Sequence, residues 1–307
     1  MTAAAPVVVV CGTTASGKSE LGVRLARELG GEVVSADSRQ VYRGLDLGSG
    51  KLLPHERGGI PHHLIDVAEP GTTYTVVDFQ RDAYAAIDAI TARGRRSLLV
   101  GGTGLYVDAV VRGYRFRGGP PDPERRRALD ALDDAALLAR LAQLDPAAVA
   151  LVDARNRRRL IRAIELAEGG HSYADSRHAS PRHPALELGL RWPLDVLDRR
   201  IGARLRARID AGLVEEVERL LARGVPPEWL DGLGLEYRYT VRHLRGEIAP
   251  REEYVEQLAR AIRRFARRQL TWFRRHASIQ WLDTDADVTT EALVRARRFL
   301  DGKADER

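Results

Sequence analysis

A glycine loop near the N-terminus restricts the possible folds of this 307-residue chain more than any other feature. The β-branched run before it, Val7–Cys11, is typical of a strand buried on both faces, and a helix is predicted from about Lys18 to Leu29. The loop matches the phosphate-binding pattern GxxxxGK[ST] and consists of Gly12, Thr13, Thr14, Ala15, Ser16, Gly17, Lys18 and Ser19. A strand, this loop and a helix in succession predict a cradle of backbone amides for a phosphate group.

The segments that follow continue the alternation of strands and helices. Further strands are predicted at Glu32–Ala36, His63–Val67, Ser97–Val100 and Leu186–Trp192. Helices are predicted at Asp78–Arg93, at Asp195–Arg223 and from about Arg251 to His276. The pattern predicts an α/β fold with a mainly parallel sheet flanked by helices, and ligands at the carboxyl ends of its strands.

The composition changes near Gly118–Pro121. From Asp122 to about Glu168 the pattern is helical and rich in alanine and arginine, and a polar stretch then runs to Pro184. We therefore expect a catalytic core formed by residues 1–118 and 188–307, with a helical insertion domain at 119–187.

Charge and cysteine content narrow the class of protein. The net charge is +6, and all but three of the 49 basic Lys and Arg residues are arginine, which reflects either biased composition or a polyanionic partner. The single cysteine, Cys11, excludes an intrachain disulfide and a cysteine-based zinc finger. No apolar run approaches the ~20 residues that span a bilayer, so we expect a cytoplasmic protein that does not bind membranes.

The phosphate loop leaves open which molecule carries the phosphate. Lys18 can neutralise phosphate charge, and the Ser19 hydroxyl can ligate Mg²⁺. Motor and switch proteins hold Mg²⁺ with an aspartate after a second strand, whereas Ser97–Val100 runs into Gly-Gly-Thr, which disfavours that class. Asp37 ends the second predicted strand, and position alone fits a turn or cap residue as well as a general base or Mg²⁺ anchor.

Six motifs in this order resemble those of the tRNA dimethylallyltransferase family, also called tRNA isopentenyltransferases. They are Gly12–Ser19, Asp37–Lys51, Pro61–Asp66, Gly101–Tyr106, Arg158–Glu165 and Arg267–Arg275. The resemblance covers residues 7–283. It implies transfer of a dimethylallyl group from dimethylallyl diphosphate to N6 of the adenosine 3′-adjacent to the anticodon in tRNA. Diphosphate is released, Mg²⁺ is the cofactor, and we expect a monomer that binds the anticodon stem-loop.

The resemblance also implies roles for individual residues. Asp37 would be the general base, Lys18, Ser19 and Arg204 would hold the diphosphate, and Thr103 would lie beside the adenosine; these five are the expected catalytic residues. Positions that the family uses on tRNA correspond to Asp37, Ser38, Arg39, Gln40, Thr103, Arg126, Arg158, Arg159, Leu160, Ile161 and Arg162.

Two further features bear on tRNA binding. Arginines on one face of Arg158–Glu165 and of Tyr254–Arg275 lack evident balancing acids in the sequence pattern, which favours contact with phosphates. The segment Gly234–Tyr239 replaces the family's frequent IGYK/R, a change that we expect to affect tRNA contacts and to leave the transferase core intact. Gln269, on an apolar helix face, is either a satisfied core amide or a contact to substrate.

Three alternative functions remain, and each would need different parts of the chain. A small-molecule kinase would transfer phosphate from ATP, and a dimethylallyltransferase for free adenine nucleotides would not need the insertion or the basic helices. A non-enzymatic RNA-binding module would not need a complete phosphate loop.

Overall fold

The computed structural model of the chain describes residues 4–119, 122–175, 179–284 and 287–302. Residues up to Val111 and from His183 onward form one compact unit, and Arg112–Arg182 form a second. The expected insertion domain was 119–187, so the second unit starts seven residues earlier and ends five residues earlier than expected. Its two ends pair with each other through a bridge between Tyr114 and Ala179, a long-range contact that composition does not reveal.

The strands of the described residues form one parallel sheet. In chain order they are β1 Val7–Gly12, β2 Gly31–Ser35, β3 His62–His63, β4 Arg96–Gly101, β5 Ala185–Arg191 and β6 Ile279–Asp283. The strand order is β3-β2-β4-β1-β5-β6, and each neighbouring pair is parallel. In the register, Val8 of β1 lies between Leu98 of β4 and Leu186 of β5. The predicted fold class is confirmed.

Helices cover both faces of this sheet and build the second unit. They are α1 Lys18–Leu29, α2 Val76–Ala92, α3 Gly104–Asp108, α4 Pro123–Asp130, α5 Asp134–Leu144, α6 Pro146–Val149, α7 Arg157–Glu168, α8 Leu194–Asp210, α9 Leu213–Ala222, α10 Pro227–Leu233, α11 Leu235–Leu244, α12 Arg251–Phe273 and α13 Val288–Leu300. A 3₁₀ turn at Pro54–Arg57 and a π turn at Ala109–Gly113 complete the elements. Among the described residues, no helix is long and apolar enough to cross a membrane.

Alternate side chains of β1 supply the two faces of the core. Val7, Val9 and Cys11 belong to the cluster that includes Phe79 and Ile87 of α2. Val8 and Val10 belong to the opposite cluster, with residues of α1 and α13. Cys11 is fully buried, and burial raises the pKa of its thiol far above the usual value, so the sulfur stays protonated. The carboxyl end of a rigid, fully buried strand therefore leads into the phosphate loop.

Local backbone geometry explains two wrong boundaries. β3 has only two residues instead of His63–Val67, because Leu64 and Asp66 adopt positive φ angles of 61° and 59° and end the strand. The predicted helix Asp195–Arg223 is two helices, α8 and α9, because Gly212 has φ 103°, which an α-helix does not accommodate. The sequence reading also missed β6, α10, α11 and α13.

Candidate active site

The phosphate loop connects β1 to α1 as predicted, and other elements hold it by its carbonyl groups. Trp192 Nε1 donates to the carbonyl of Ser16 at 2.9 Å, and Arg200 Nε donates to that of Ala15 at 2.9 Å. The Arg200 guanidinium also stacks on Trp192, 4.4 Å from the ring centroid. These contacts tie the loop to the residues around the start of α8 independently of any ligand.

Gln269 of α12 joins the phosphate loop to the turn after β4. Its Oε1 accepts the Thr14 N–H at 2.8 Å, and its Nε2 donates to the Gly102 carbonyl at 2.8 Å. The amide is thus satisfied within the protein, and it also lies in the wall of a cavity beside the loop. The satisfied amide is thus confirmed, and a contact of Gln269 with substrate stays a prediction.

This cavity lies at the carboxyl ends of β1, β2 and β4 and is strongly cationic. Its lining is Thr14, Lys18, Ser19, Asp37, Arg39, Gln40, Ser49, Gly50, Val100, Gly101, Arg204, Arg208 and Gln269. The structure therefore brings together seven of the residues predicted for the site: Thr14, Lys18, Ser19, Asp37, Arg39, Gln40 and Arg204. Arg208 was not predicted, although Arg200, Arg204 and Arg208 follow one another at intervals of four residues on α8, which places them on one helix face.

The cations destabilise one another's charged forms in the absence of an anion. Burial, followed by the charge of Arg204, lowers the pKa of Lys18 to about 8. Burial and Arg208 lower the pKa of Arg204 to about 9, and burial also lowers that of Arg208. Burial opposes the charge of Arg39 as well, but Glu236 and Asp37 outweigh it and raise its pKa. A bound polyanion would relieve these penalties, so the cavity is chemically suited to a diphosphate.

Asp37 stands at the edge of the cavity immediately after β2 and Ala36. Its Oδ1 accepts the Arg39 N–H at 3.0 Å and lies 3.6 Å from Arg39 Nε. Thr103 lies beside it, where its Oγ1 accepts the Ser38 N–H at 3.1 Å. Asp37 therefore forms the turn that its position suggested, and the same turn presents its carboxylate to the cavity.

The loop 46–50 contributes to the lining of the cavity and is held by a buried acid. The Glu216 carboxylate accepts the N–H groups of Asp46, Leu47 and Gly48 at 2.7–3.0 Å. The Tyr237 hydroxyl donates to the same carboxylate at 3.2 Å. This support places Ser49 and Gly50 in the lining, a role of Glu216 that nothing local in the sequence signals.

The segment Gly234–Tyr239, in which the sequence indicated only a change of tRNA contacts, also reaches the cavity. Glu236 is buried, and its carboxylate lies 2.7 Å from Arg39 Nη1 and 3.5 Å from Arg208 Nη1. A Cβ at Gly234 would lie only 2.8 Å from Arg39 Cδ, so glycine permits this close approach. The segment therefore contacts two arginines of the cavity.

The second unit holds the other predicted tRNA residues. Arg158 and Arg159 are exposed on α7, but Leu160 and Ile161 are buried in the core of the unit, so their side chains do not face solvent. The expected lack of balancing acids is also wrong, because Glu165 pairs with Arg126 at 2.8 Å and with Arg162 at 3.1 Å. On α12, Arg260 pairs with Glu256 and Arg267 with Asp198.

Comparisons with known proteins identify the family that the chain resembles. Residues 40–276 match the family model "IPP transferase", and residues 5–69 match "Isopentenyl transferase". The chain is 47% identical to "tRNA dimethylallyltransferase 2" of Syntrophotalea carbinolica, over 92% of this chain and 95% of the relative. It is 45% identical to "tRNA dimethylallyltransferase 1" of Geotalea uraniireducens, over 93% and 95% of the two chains.

Solved structures show the same fold. The tRNA isopentenylpyrophosphate transferase of Bacillus halodurans superposes with a TM-score of 0.72 at 37% identity, covering 97% of this chain and 96% of that chain. The corresponding transferase of Staphylococcus epidermidis gives a TM-score of 0.71 at 28% identity, covering 98% and 100%. With the phosphate loop, the strand-end aspartate and a family match over most of its length, the chain belongs to the IPP transferase family, the family of the tRNA dimethylallyltransferases.

Proposed function

We propose that the protein transfers a dimethylallyl group from dimethylallyl diphosphate to N6 of the adenosine 3′-adjacent to the anticodon in tRNA. The observation that carries the proposal is the cavity that places Lys18, Arg204 and Arg208 beside the phosphate loop, with Asp37 in its lining. One end of this arrangement suits a leaving diphosphate, and the other suits a weak nucleophile that must lose a proton.

The diphosphate would be held by the loop Gly12–Ser19, by Lys18 and by Arg204. As the allylic C–O bond breaks, negative charge grows on the leaving diphosphate, and fixed cations lower the free energy of that transition state. Arg39 and Arg208 line the same cavity and would add to this stabilisation.

Asp37 would take the proton from N6 while the C–N bond forms. The adenine amine is a weak nucleophile because its lone pair is delocalised into the ring, and a positioned base accelerates such a step by about 10²–10⁴-fold. The hydrogen bond from the Ser38 N–H to Thr103 Oγ1 would fix the turn that carries Asp37. It would leave Thr103 beside the incoming adenine.

Mg²⁺ is the proposed cofactor, and the residues present fit it. Among the described residues no group of three or more His, Cys, Asp or Glu side chains could hold a metal, so the protein alone offers no complete site. Ser19 lines the cavity and would offer its hydroxyl to the ion, and Mg²⁺ is commonly bound by one or two protein oxygens together with substrate phosphates. The ion would neutralise charge on the diphosphate.

For tRNA we propose contacts with Asp37–Gln40 and Thr103 and with Arg126, Arg158, Arg159 and Arg162 of the insertion. The adenosine must leave its stack to reach a buried allylic carbon, as in other enzymes that modify a base. The protein would act as a monomer in the cytoplasm.

Nucleoside analysis by mass spectrometry tests the proposal. Wild-type protein incubated with tRNA, Mg²⁺ and dimethylallyl diphosphate should yield an adenosine enlarged by C₅H₈. In parallel, ATP replaces the prenyl donor, and a set of small hydroxylated metabolites replaces tRNA. Phosphate transfer from ATP without prenyl transfer would contradict the proposal and favour a kinase, an alternative that the family match does not favour.

A further inference from the structure

Glu236 is a buried acid in direct contact with the cationic cavity. Its side chain is 3% exposed, and its two oxygens contact different arginines, Oε2 with Arg39 at 2.7 Å and Oε1 with Arg208 at 3.5 Å. Both arginines line the cavity together with Lys18 and Arg204. Glu236 thus forms ion pairs with two of the four cations that would bind a diphosphate.

We propose that Glu236 is a positioning residue that fixes Arg39 and Arg208 and reduces the affinity of the cavity for diphosphate, so that the product can leave. This inference rests on the proposed function, in which diphosphate is the leaving group.

The positioning follows from the packing around Arg39. Its guanidinium contacts Glu236 at 2.7 Å, whereas its Nε lies 3.6 Å from Asp37 Oδ1. Glu236 is therefore the nearer of the two counter-ions of the Arg39 guanidinium. The Arg39 guanidinium also lies 6.0 Å from the centroid of Phe265, so its position is restricted on a second side.

The effect on affinity follows from charge. Four partly buried cations around one cavity attract a diphosphate strongly, and a negative charge among them repels it. Cleavage of the prenyl ester replaces a C–O bond with an oxyanion, so the released diphosphate is more anionic than the substrate. Without Glu236 the cavity would therefore hold the diphosphate product more tightly than the wild-type cavity does, and product release would limit turnover.

Two substitutions of Glu236 separate the effect of its charge from the effect of its size. Glu236→Gln keeps the size of the side chain and one acceptor for Arg39 but removes the charge, and Glu236→Ala removes both. We expect both variants to bind inorganic diphosphate more tightly than wild type, by about tenfold or more for Glu236→Gln and less for Glu236→Ala, because a unit charge so close acts at low effective dielectric. Titration calorimetry without tRNA or prenyl donor measures this.

Kinetics give the second readout. In Glu236→Gln the steady-state rate should fall more than the single-turnover rate, and inhibition by added diphosphate should strengthen to the same degree as its binding. The control is Glu228→Gln, which changes net charge equally at an exposed acid paired with Arg245, and it should match wild type in both assays.

Diphosphate affinity that is unchanged or weaker in whichever Glu236 variants fold would overturn the inference. So would an increase of equal size in Glu228→Gln. Since calorimetry needs no prenyl transfer, failure of the proposed function would be recognised separately, by absence of modified adenosine with the wild-type protein.

Discussion

At the scale of single residues, Asp37 shows how one side chain serves both the fold and the site. Its Oδ1 accepts the Arg39 N–H and so closes the turn after β2. The same turn places the carboxylate in the wall of the cavity that contains Lys18. A substitution must therefore preserve the turn if it is to test the chemistry.

Asp37→Asn meets this requirement, because an amide oxygen can still accept the Arg39 N–H. It lacks the basicity of a carboxylate, so we expect the single-turnover rate of prenyl transfer to fall by about 10²–10⁴-fold. The affinity for tRNA, measured by filter binding, should change by less than about threefold. A single-turnover rate close to that of wild type would show that Asp37 is not the base.

The lowered pKa of Lys18 predicts how the binding of dimethylallyl diphosphate depends on pH. Its pKa in the ligand-free protein is lowered to about 8, mainly by burial, and a bound anion favours the charged ammonium. Binding therefore takes up a proton when the pH exceeds this value, and affinity should fall as the pH rises above about 8, by up to roughly tenfold per unit. Below that pH the group is already charged, and this contribution to affinity is constant.

Calorimetry of dimethylallyl diphosphate binding between pH 7 and 9 measures the effect. The matched variant Lys18→Met should bind more weakly and lose the part of the dependence that begins near pH 8. Affinity that rises with pH, or an identical profile in the variant, would contradict this assignment.

At the scale of elements, α12 stabilises the phosphate loop through Gln269. Gln269→Leu leaves the Thr14 N–H and the Gly102 carbonyl without this partner, which should lower the free energy of unfolding by about 1–3 kcal/mol. It should also weaken diphosphate binding, because Thr14 belongs to the loop. Urea denaturation and calorimetry measure the two effects.

Gln257→Leu is the control on the same helix, since Gln257 is only partly buried and its hydrogen bond to Glu253 is exposed to solvent. It should change neither quantity by much. Equal effects of the two substitutions would show that Gln269 has no special relation to the loop.

The sequence predicts elements well where a local pattern determines them. The run of valines, the glycine loop and α1 depend on short-range signals, and the structure confirms them. Leu64 and Asp66 end β3 because their φ angles are positive, and the local sequence pattern does not predict this. Arg208 of α8, Glu216 of α9 and Glu236 of α11 act on the site from elsewhere in the chain. Their importance depends on contacts between residues far apart in the sequence.

At the scale of the whole molecule, basic charge is only partly available to an RNA. Many arginines pair with acids, including Arg126 and Arg162 with Glu165. The net charge of +6 is therefore less informative than the exposure of particular side chains. Arg158 and Arg159 at the start of α7 are exposed and are the insertion residues best suited to tRNA phosphates.

The double variant Arg158→Gln with Arg159→Gln should weaken tRNA binding. If each arginine neutralises one phosphate, the slope of log affinity against log salt should shrink by roughly 1.5, at about 0.7–0.9 per phosphate. The affinity for inorganic diphosphate should stay as in wild type. Arg155→Gln, at an exposed arginine paired with Asp153, is the control; a salt slope unchanged in the double variant would contradict this role.

As proposed, the cationic cavity delivers a prenyl group to one adenosine of a tRNA. The most direct measurement is mass mapping of nuclease fragments from two tRNAs incubated with the protein, Mg²⁺ and dimethylallyl diphosphate. One tRNA has adenosine 3′-adjacent to the anticodon, the other has guanosine there, and AMP is added as a competitor. We predict a C₅H₈ adduct only on the fragment with that adenosine, and little on AMP. Modification of AMP with equal kcat/KM, or of the guanosine-substituted tRNA, would contradict the account.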